Sequence, residues 1–216
     1  MTLKRAERSF RKCQPRLGPC DVTKKNDLAK IYNDLSKKEK YINLLGINLD
    51  RNETFEQWNE TYNTDVTSVY FTTVAFLPLL QAGTETHDHL SASVIVTSSM
   101  SGIIRHAQGH FSYSAAKGGT VHLTKLMSTE FQKAQVRMNS IAPGYFPSEM
   151  IAKQSGPDMK SELPDEKVQK KGHVSAMRAG SDEEMAQAVL FLTKNAYVNG
   201  EILAVDGGVF NVVSGW

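Results

Sequence analysis

Tyr113 and Lys117 stand four positions apart in the stretch Tyr113-Ser114-Ala115-Ala116-Lys117. On a helix that spacing puts a phenol and an ammonium on one face. A free tyrosine titrates at about 10 and is a poor proton donor or acceptor near neutrality, whereas a neighbouring positive charge favours a phenolate. The pair therefore suits acid/base work. The same pattern also occurs as a solvated pair on ordinary helices, so its context decides. Upstream, Val96-Thr97-Ser98-Ser99 ends a β-branched run. A hydroxyl there would lie at the carboxyl edge of a sheet, where ligands of open α/β sheets bind. The helix carrying Tyr113 starts beside that edge.

The elements that must position these groups can be read from periodicity. Between Val22 and Leu35, the residues Leu28, Ile31, Tyr32 and Leu35 form one apolar stripe with lysines on the other faces, which predicts a helix. Tyr41 to Leu45, closed by Gly46, reads as a buried strand ending in a turn. From about Phe55 to Leu80 the pattern is helical, and from Val66 to Leu80 it is apolar nearly all round, as expected of a helix buried on more than one side. Ser93 to Thr97 is a central parallel strand by composition. Ser112 to about Lys133 is a helix whose small residues, Ala115, Ala116, Gly118 and Gly119, permit close packing. Val136 to Ala142 reads as strand. Ser181 with Glu184 makes a capping box for a helix at 182–194, and Glu201 to Val205 is a last strand before Asp206-Gly207-Gly208.

Strands alternating with helices of this length imply βαβ units, hence an α/β fold with a mostly parallel sheet and helices on both faces. The stretch from Phe146 to about Gly180, with Pro147, Gly156, Pro157 and Pro164, is too long for an ordinary connection and reads as a lid. At 216 residues, 40% hydrophobic and 22% charged, the chain suits one globular domain over 1–216. The net charge of +2 gives no reason to expect nucleic acid. Lys4, Arg5, Arg8, Arg11, Lys12 and Arg16 make the start locally basic, which reads as solvated helix surface. No apolar run approaches the roughly 20 residues that span a bilayer, and the first residues are too charged for a signal peptide. A cytoplasmic protein with no membrane partner is expected. Cys13 and Cys20 read as free thiols, and no metal site is expected.

Four segments in order carry a resemblance. Ser98-Ser99-Met100-Ser101-Gly102, Tyr113-Ser114-Ala115-Ala116-Lys117, Asn139-Ser140-Ile141-Ala142-Pro143-Gly144 and Val205-Asp206-Gly207-Gly208 resemble the signature of the short-chain dehydrogenase/reductase family, over about residues 20–209. The resemblance implies a Rossmann-like doubly wound sheet and an NAD(P)-dependent enzyme interconverting a ketone and a secondary alcohol. Tyr113 would be the general acid/base. Lys117 would stabilise the Tyr113 phenolate and bind the nicotinamide ribose. Ser99 would orient the substrate oxygen, in preference to Ser98, because it stands three residues before Gly102. Gly144, the Phe146 backbone and the Ser148 hydroxyl would face the nicotinamide, and Asp21 the adenine. NADP is preferred to NAD because of the basic first residues. A homodimer or homotetramer is expected through the helices at 66–80 and 112–133.

The pattern is broken in three places. The family's opening strand and Thr-Gly-x-x-x-Gly-x-Gly loop, which place backbone N–H groups and a helix dipole against the pyrophosphate, have no counterpart: Gly18 is the only glycine before Gly46. The first βαβ unit therefore reads as incomplete, by on the order of 30 residues. At Leu44-Leu45-Gly46-Ile47-Asn48, relatives usually have an Asn-Asn-Ala-Gly turn that lines the adenine ribose. Counting from Trp58, Asp65 takes the position of the family's catalytic asparagine; a carboxylate accepts the same hydrogen bond but cannot donate, and it adds a charge near Lys117. Asn63 is the less suitable substitute. Two readings follow: an oxidoreductase acting on a small carbonyl or alcohol, or a truncated or divergent, non-catalytic member that acts as an interaction partner.

Overall fold

The β-branched run Ser93-Val94-Ile95-Val96-Thr97 forms strand β1 (Ser93–Thr97). In the computed structural model, which describes residues 53–85, 91–148 and 161–213, β1 pairs parallel with β2 (Arg137–Pro143), and β2 pairs parallel with β3 (Ile202–Val205). The register runs from Ser93 opposite Arg137 to Thr97 opposite Ile141, and from Ser140 opposite Ile202 to Pro143 opposite Val205. Parallel neighbours need crossover connections, and helices supply them. Helix α1 (Phe55–Tyr62), a π-helical segment (Asn63–Thr67) and α2 (Ser68–Glu85) precede β1. Helix α3 (Phe111–Glu130) joins β1 to β2; α4 (Asp165–Gln169) and α5 (Asp182–Lys194) lie between β2 and β3.

Contacts divide the chain into two units, Met1–Gln57 and Trp58–Trp216, and β1, β2 and β3 belong to the second. The helix expected at 22–35, the strand at 41–45, Asp21 and Gly46 lie outside the described residues. In the first unit, Thr54 and Gln57 bond reciprocally, N–H to side chain at 2.8 and 3.2 Å, and so open α1 with a capping box.

Strand alternation assigns side chains to the two sheet faces. Val96 and Met138 pack with Met127 of α3, and Val69 of α2 covers the same cluster. On the other face Ile141 packs with Ala188 and Leu192 of α5, flanked by Ile95, Leu203 and Val205. Helices thus cover both faces, as the alternation of elements predicts. The capping box of α5 is formed, with Ser181 N–H to Glu184 Oε2 at 2.9 Å and Glu184 N–H to Ser181 Oγ at 3.3 Å. Arg178 grips the same Glu184 with its two terminal guanidinium nitrogens, and these hydrogen bonds, then the Ser181 backbone, hold the carboxyl down at about 2.

Two expectations need correction. The tract Phe55–Glu85 contains an 18-residue window of mean hydropathy 1.3, so by length and composition alone it is long and apolar enough to cross a membrane. Its interruption by polar residues such as Thr72 and Thr73 conceals this from a search for unbroken apolar runs. Its stretch from Val66 to Leu80 was also expected to be buried on more than one side. Instead Phe71, Phe76 and Leu79 are exposed, and among its residues Thr73 is buried. The second correction concerns the lid. It contains the short helix α4, and its Val168 and Val174 are buried with Met100, Tyr145 and Val209 in one cluster, so its described part is anchored to the core.

Arg137 closes the far end of α5. Its guanidinium donates to the carbonyls of Leu192 (2.8 Å), Thr193 (3.0 Å), Asn195 (3.1 Å) and Val198 (3.2 Å), and its Nε donates to Ser91 Oγ (2.8 Å). These include the carbonyls that a helix C-terminus leaves without partners. Burial draws the Arg137 pKa below its ordinary value. Arg137→Met should orphan these acceptors and cost about 3 kcal/mol, whereas Ser181→Ala should cost about 1 kcal/mol; thermal denaturation of the two variants checks the order.

Candidate active site

The site is built where β1 and β2 end. Ser98 donates its hydroxyl to the Ile141 carbonyl at 3.0 Å, and Ser140 Oγ lies 2.7 Å from Ser98 Oγ. Ser98 is thereby committed to holding two strand ends together. Ser99, the next residue, is extended and turns the other way: its Oγ accepts the Ser101 N–H at 3.1 Å and caps the 3₁₀ turn Met100–Gly102. With an acceptor function engaged, the Ser99 proton is free to donate. Ser99 lines a cavity of about 560 Å³ together with Tyr113, Met100, Gln108, Gly144 and Tyr145.

Glycine fixes the spacing between the serine turn and α3. A Cβ on Gly102 would lie 2.5 Å from the Lys117 carbonyl carbon and 2.7 Å from the Gly118 nitrogen, so only glycine lets the turn rest on the helix backbone at Lys117. Gly144 plays the same part across the sheet edge, where a Cβ would lie 2.6 Å from the Asp206 Cα. The Asp206 carboxylate meanwhile accepts the N–H groups of Gly208 (3.0 Å) and Phe210 (2.9 Å) and holds the turn after β3.

Lys117 is held from two sides. Its Nζ donates to the Thr97 carbonyl at 3.1 Å, pairs with Asp65 Oδ1 at 3.1 Å, and lies 5.7 Å from the centroid of the Tyr113 ring. The Lys117 and Asp65 side chains are 12% and 17% exposed. Asp65 lies in the π segment, a geometry that often marks functional sites. Its main-chain carbonyl accepts the Thr120 hydroxyl of α3 at 2.6 Å, so both ends of Asp65 face that helix. Close approach is possible because Gly119 faces Tyr62 and Val66, where a Cβ would stand 3.0 and 3.2 Å from them.

Ser99, Tyr113 and Gly144 thus share one cavity. Lys117 and Asp65 line a second cleft, of about 350 Å³, with Thr64, Ser68 and residues of β1. Phe146 faces a third cavity, with Arg178 and Gly180, and Ser148 is half-buried at the end of its described segment. Asp21 and Gly46 lie outside the described residues. Sequence reasoning missed Gln108 and Lys171, which also line the Tyr113 cavity, and His173, which bonds Tyr145. Tyr145 could have been found as the residue after the Pro143-Gly144 pair, and Gln108 by the glycine that follows it; Lys171 has no motif.

Comparison with known proteins fits this arrangement. The family described as enoyl-(acyl carrier protein) reductase matches residues 1–210. A short-chain dehydrogenase/reductase of Diaporthe leptostromiformis, PhomF', is 31% identical over 217 residues, covering 89% of this chain and 73% of that protein. The chain belongs to the short-chain dehydrogenase/reductase family. The crystal structure of a short-chain type dehydrogenase/reductase from Mycobacterium marinum aligns with a TM-score of 0.61 at 26% identity, over 88% of this chain and 73% of that one. The Pseudomonas aeruginosa RhlG/NADP active-site complex shares the fold, with a TM-score of 0.60 at 24% identity, over 89% of this chain and 75% of that one. The family fold is a Rossmann-like α/β sheet, and the chain is an NAD(P)-dependent oxidoreductase acting on CH–OH and C=O groups.

Gly102→Ala should push the serine turn off α3. A loss of about 1–3 kcal/mol is expected from such overpacking, read by chemical denaturation.

Proposed function

We propose that the Ser99–Tyr113 cavity is the catalytic centre, that Lys117 supports it, and that NADP is preferred to NAD. The observation that carries this reading is the convergence of a free serine proton and a phenol on one cavity, with an ammonium 5.7 Å from the phenol ring. The residues present fit a nicotinamide nucleotide. Thr97 and Pro143 end adjacent parallel strands, the edge at which open α/β sheets bind such ligands, and Lys117 opens onto the cleft beside β1. Tyr113, Lys117, Gly144, the Phe146 backbone and Ser148 would hold the nicotinamide side, and Asp21 and Gly46 the adenine side. When bound, the nucleotide supplies or accepts the hydride.

The chain's own residues do the rest. Ser99 donates a hydrogen bond to the carbonyl oxygen, keeping its own proton, and fixes the oxygen's direction. Tyr113 delivers a proton to the same oxygen as the alcohol forms, and as a phenolate takes it back in oxidation. Lys117, held by Thr97 and Asp65, keeps a positive charge beside the phenol; the Asp65 carboxylate accepts where the family's asparagine would, and orients the ammonium. The NADP preference is supported by the basic first residues and by the NADP complex of the Pseudomonas aeruginosa protein. Assembly into a homodimer or homotetramer is supported by the exposed side chains of Phe71 (65%), Phe76 (56%) and Leu79 (69%) on α2. The protein is proposed to act in the cytoplasm on a small molecule, with no nucleic-acid or membrane partner; the net charge of +2 supports the first of these two absences.

Tyr113→Phe should lower kcat for ketone reduction by about 10²-fold or more while NADPH still raises the melting temperature. Retained turnover in that variant would remove Tyr113 from the chemistry. Ser99→Ala should lose turnover and, with its cap on the 3₁₀ turn gone, about 1 kcal/mol of stability. Ser98→Ala should lose a similar amount of stability, about 1 kcal/mol, but keep turnover.

A further inference from the structure

The Tyr113 cavity carries polar groups that hydride transfer does not use. Its lining includes Lys171 and His110 but, among the described residues, no aspartate or glutamate. Lys171 is held in place from several directions. Its N–H donates to the Val168 carbonyl at 3.0 Å as the chain leaves α4, and Gly172, at φ +70°, reverses direction immediately after it. Its carbonyl lies 2.8 Å from His173 Nδ1, and its Nζ stands 5.0 Å from the centroid of the Tyr145 ring. Val168 and Val174, both buried, fasten the segment on either side.

His173 Nδ1 faces the Lys171 carbonyl at 2.8 Å and so carries a proton, and the Tyr145 hydroxyl lies 2.9 Å from His173 Nε2 and 3.5 Å from Gln108 Oε1. Burial, the larger effect, raises the Tyr145 pKa against the opposing hydrogen bond with Gln108, and the phenol stays neutral. The Tyr145 ring therefore serves Lys171 as a platform and not as a counter-ion. Lys171 lines a small-molecule-sized cavity, its ammonium stands over the ring of Tyr145 on the same lining, and no negative group of the described lining meets it.

We infer that this cavity takes a carbonyl substrate bearing an anionic group, of the keto-acid class, and that Lys171 is the specificity-determining residue that meets the anion. The inference rests on the Ser99–Tyr113 cavity being the catalytic centre. Lysine acts here as a compact point charge on a flexible stem, so the contact selects for charge more than for shape.

The test compares 5-oxohexanoate with its methyl ester on the full chain. Binding is measured by saturation-transfer NMR in the presence of NADPH or NADH, and turnover by nucleotide absorbance. The acid should bind at least fivefold more tightly than the ester, and the difference should shrink as salt is raised. K171M should abolish the preference, K171E should reverse it, and K170M, outside the cavity lining, should retain it; melting temperatures verify that each variant is folded. Equal binding of acid and ester, no binding of either, or a preference that survives K171M overturns the inference. Turnover without an acid preference removes only the Lys171 role. An acid preference lost in K171M without any turnover in the wild type instead removes the catalytic roles of Ser99 and Tyr113.

Discussion

An ammonium withdrawn from water has to be surrounded by acceptors, because an unpaired buried charge is among the costliest features a fold can carry. Lys117 meets that condition with one partner from the sheet and one from a neighbouring helix: the Thr97 carbonyl at the end of β1 and the Asp65 carboxylate in the π segment. The ion pair is therefore also a construction device. It joins α3 to the strand whose next residues are Ser98 and Ser99, and to the helical tract that covers one sheet face. Moving any of the three would strand a charge, and so the position of Tyr113, one helical turn away on α3, is determined by the same requirement.

Close backbone contacts complete that constraint. Gly102 seats the serine turn on α3 at Lys117, and Gly144 seats the end of β2 on Asp206. In both cases a methyl group would enter the backbone of another signature segment. The four segments that carry the family resemblance are consequently in physical contact in pairs, which explains why they occur together in one chain. Hydrogen bonding then separates the roles of two adjacent serines. Ser98 points into the strand ends and is consumed by Ile141 and Ser140, while Ser99, one residue on, caps the turn and faces the cavity.

How much of this was legible in the sequence depended on whether a feature has a period or a motif. Strand β1 and helix α5 were readable to the residue, because a β-branched run and a capping box are local signals. The pairing of Ser99, Tyr113 and Gly144 was reachable through ordered motifs, and Asp65 through its distance from Trp58. The π segment was not, since a shift in helical hydrogen bonding leaves no compositional trace. Helix α4, at five residues, is shorter than two turns and shows no stripe. The exposure of Phe71, Phe76 and Leu79 was equally hidden, because an apolar residue looks the same in a sequence whether it packs inward or faces outward.

Lys171 belongs to a different category. Nothing in Lys170-Lys171-Gly172-His173 separates one lysine from the other. The distinction arises from Gly172, whose left-handed backbone turns His173 toward Tyr145 and leaves Lys171 over the Tyr145 ring. The reacting groups are fixed by buried charge and backbone contact, so their geometry tolerates little change. Lys171 stands on an exposed turn anchored by two valines, where its side chain can be exchanged without disturbing the sheet. A fold arranged this way can keep one chemistry while altering what it recognises, and the anionic selectivity inferred for this chain would be a property of the turn, separate from that of the catalytic edge.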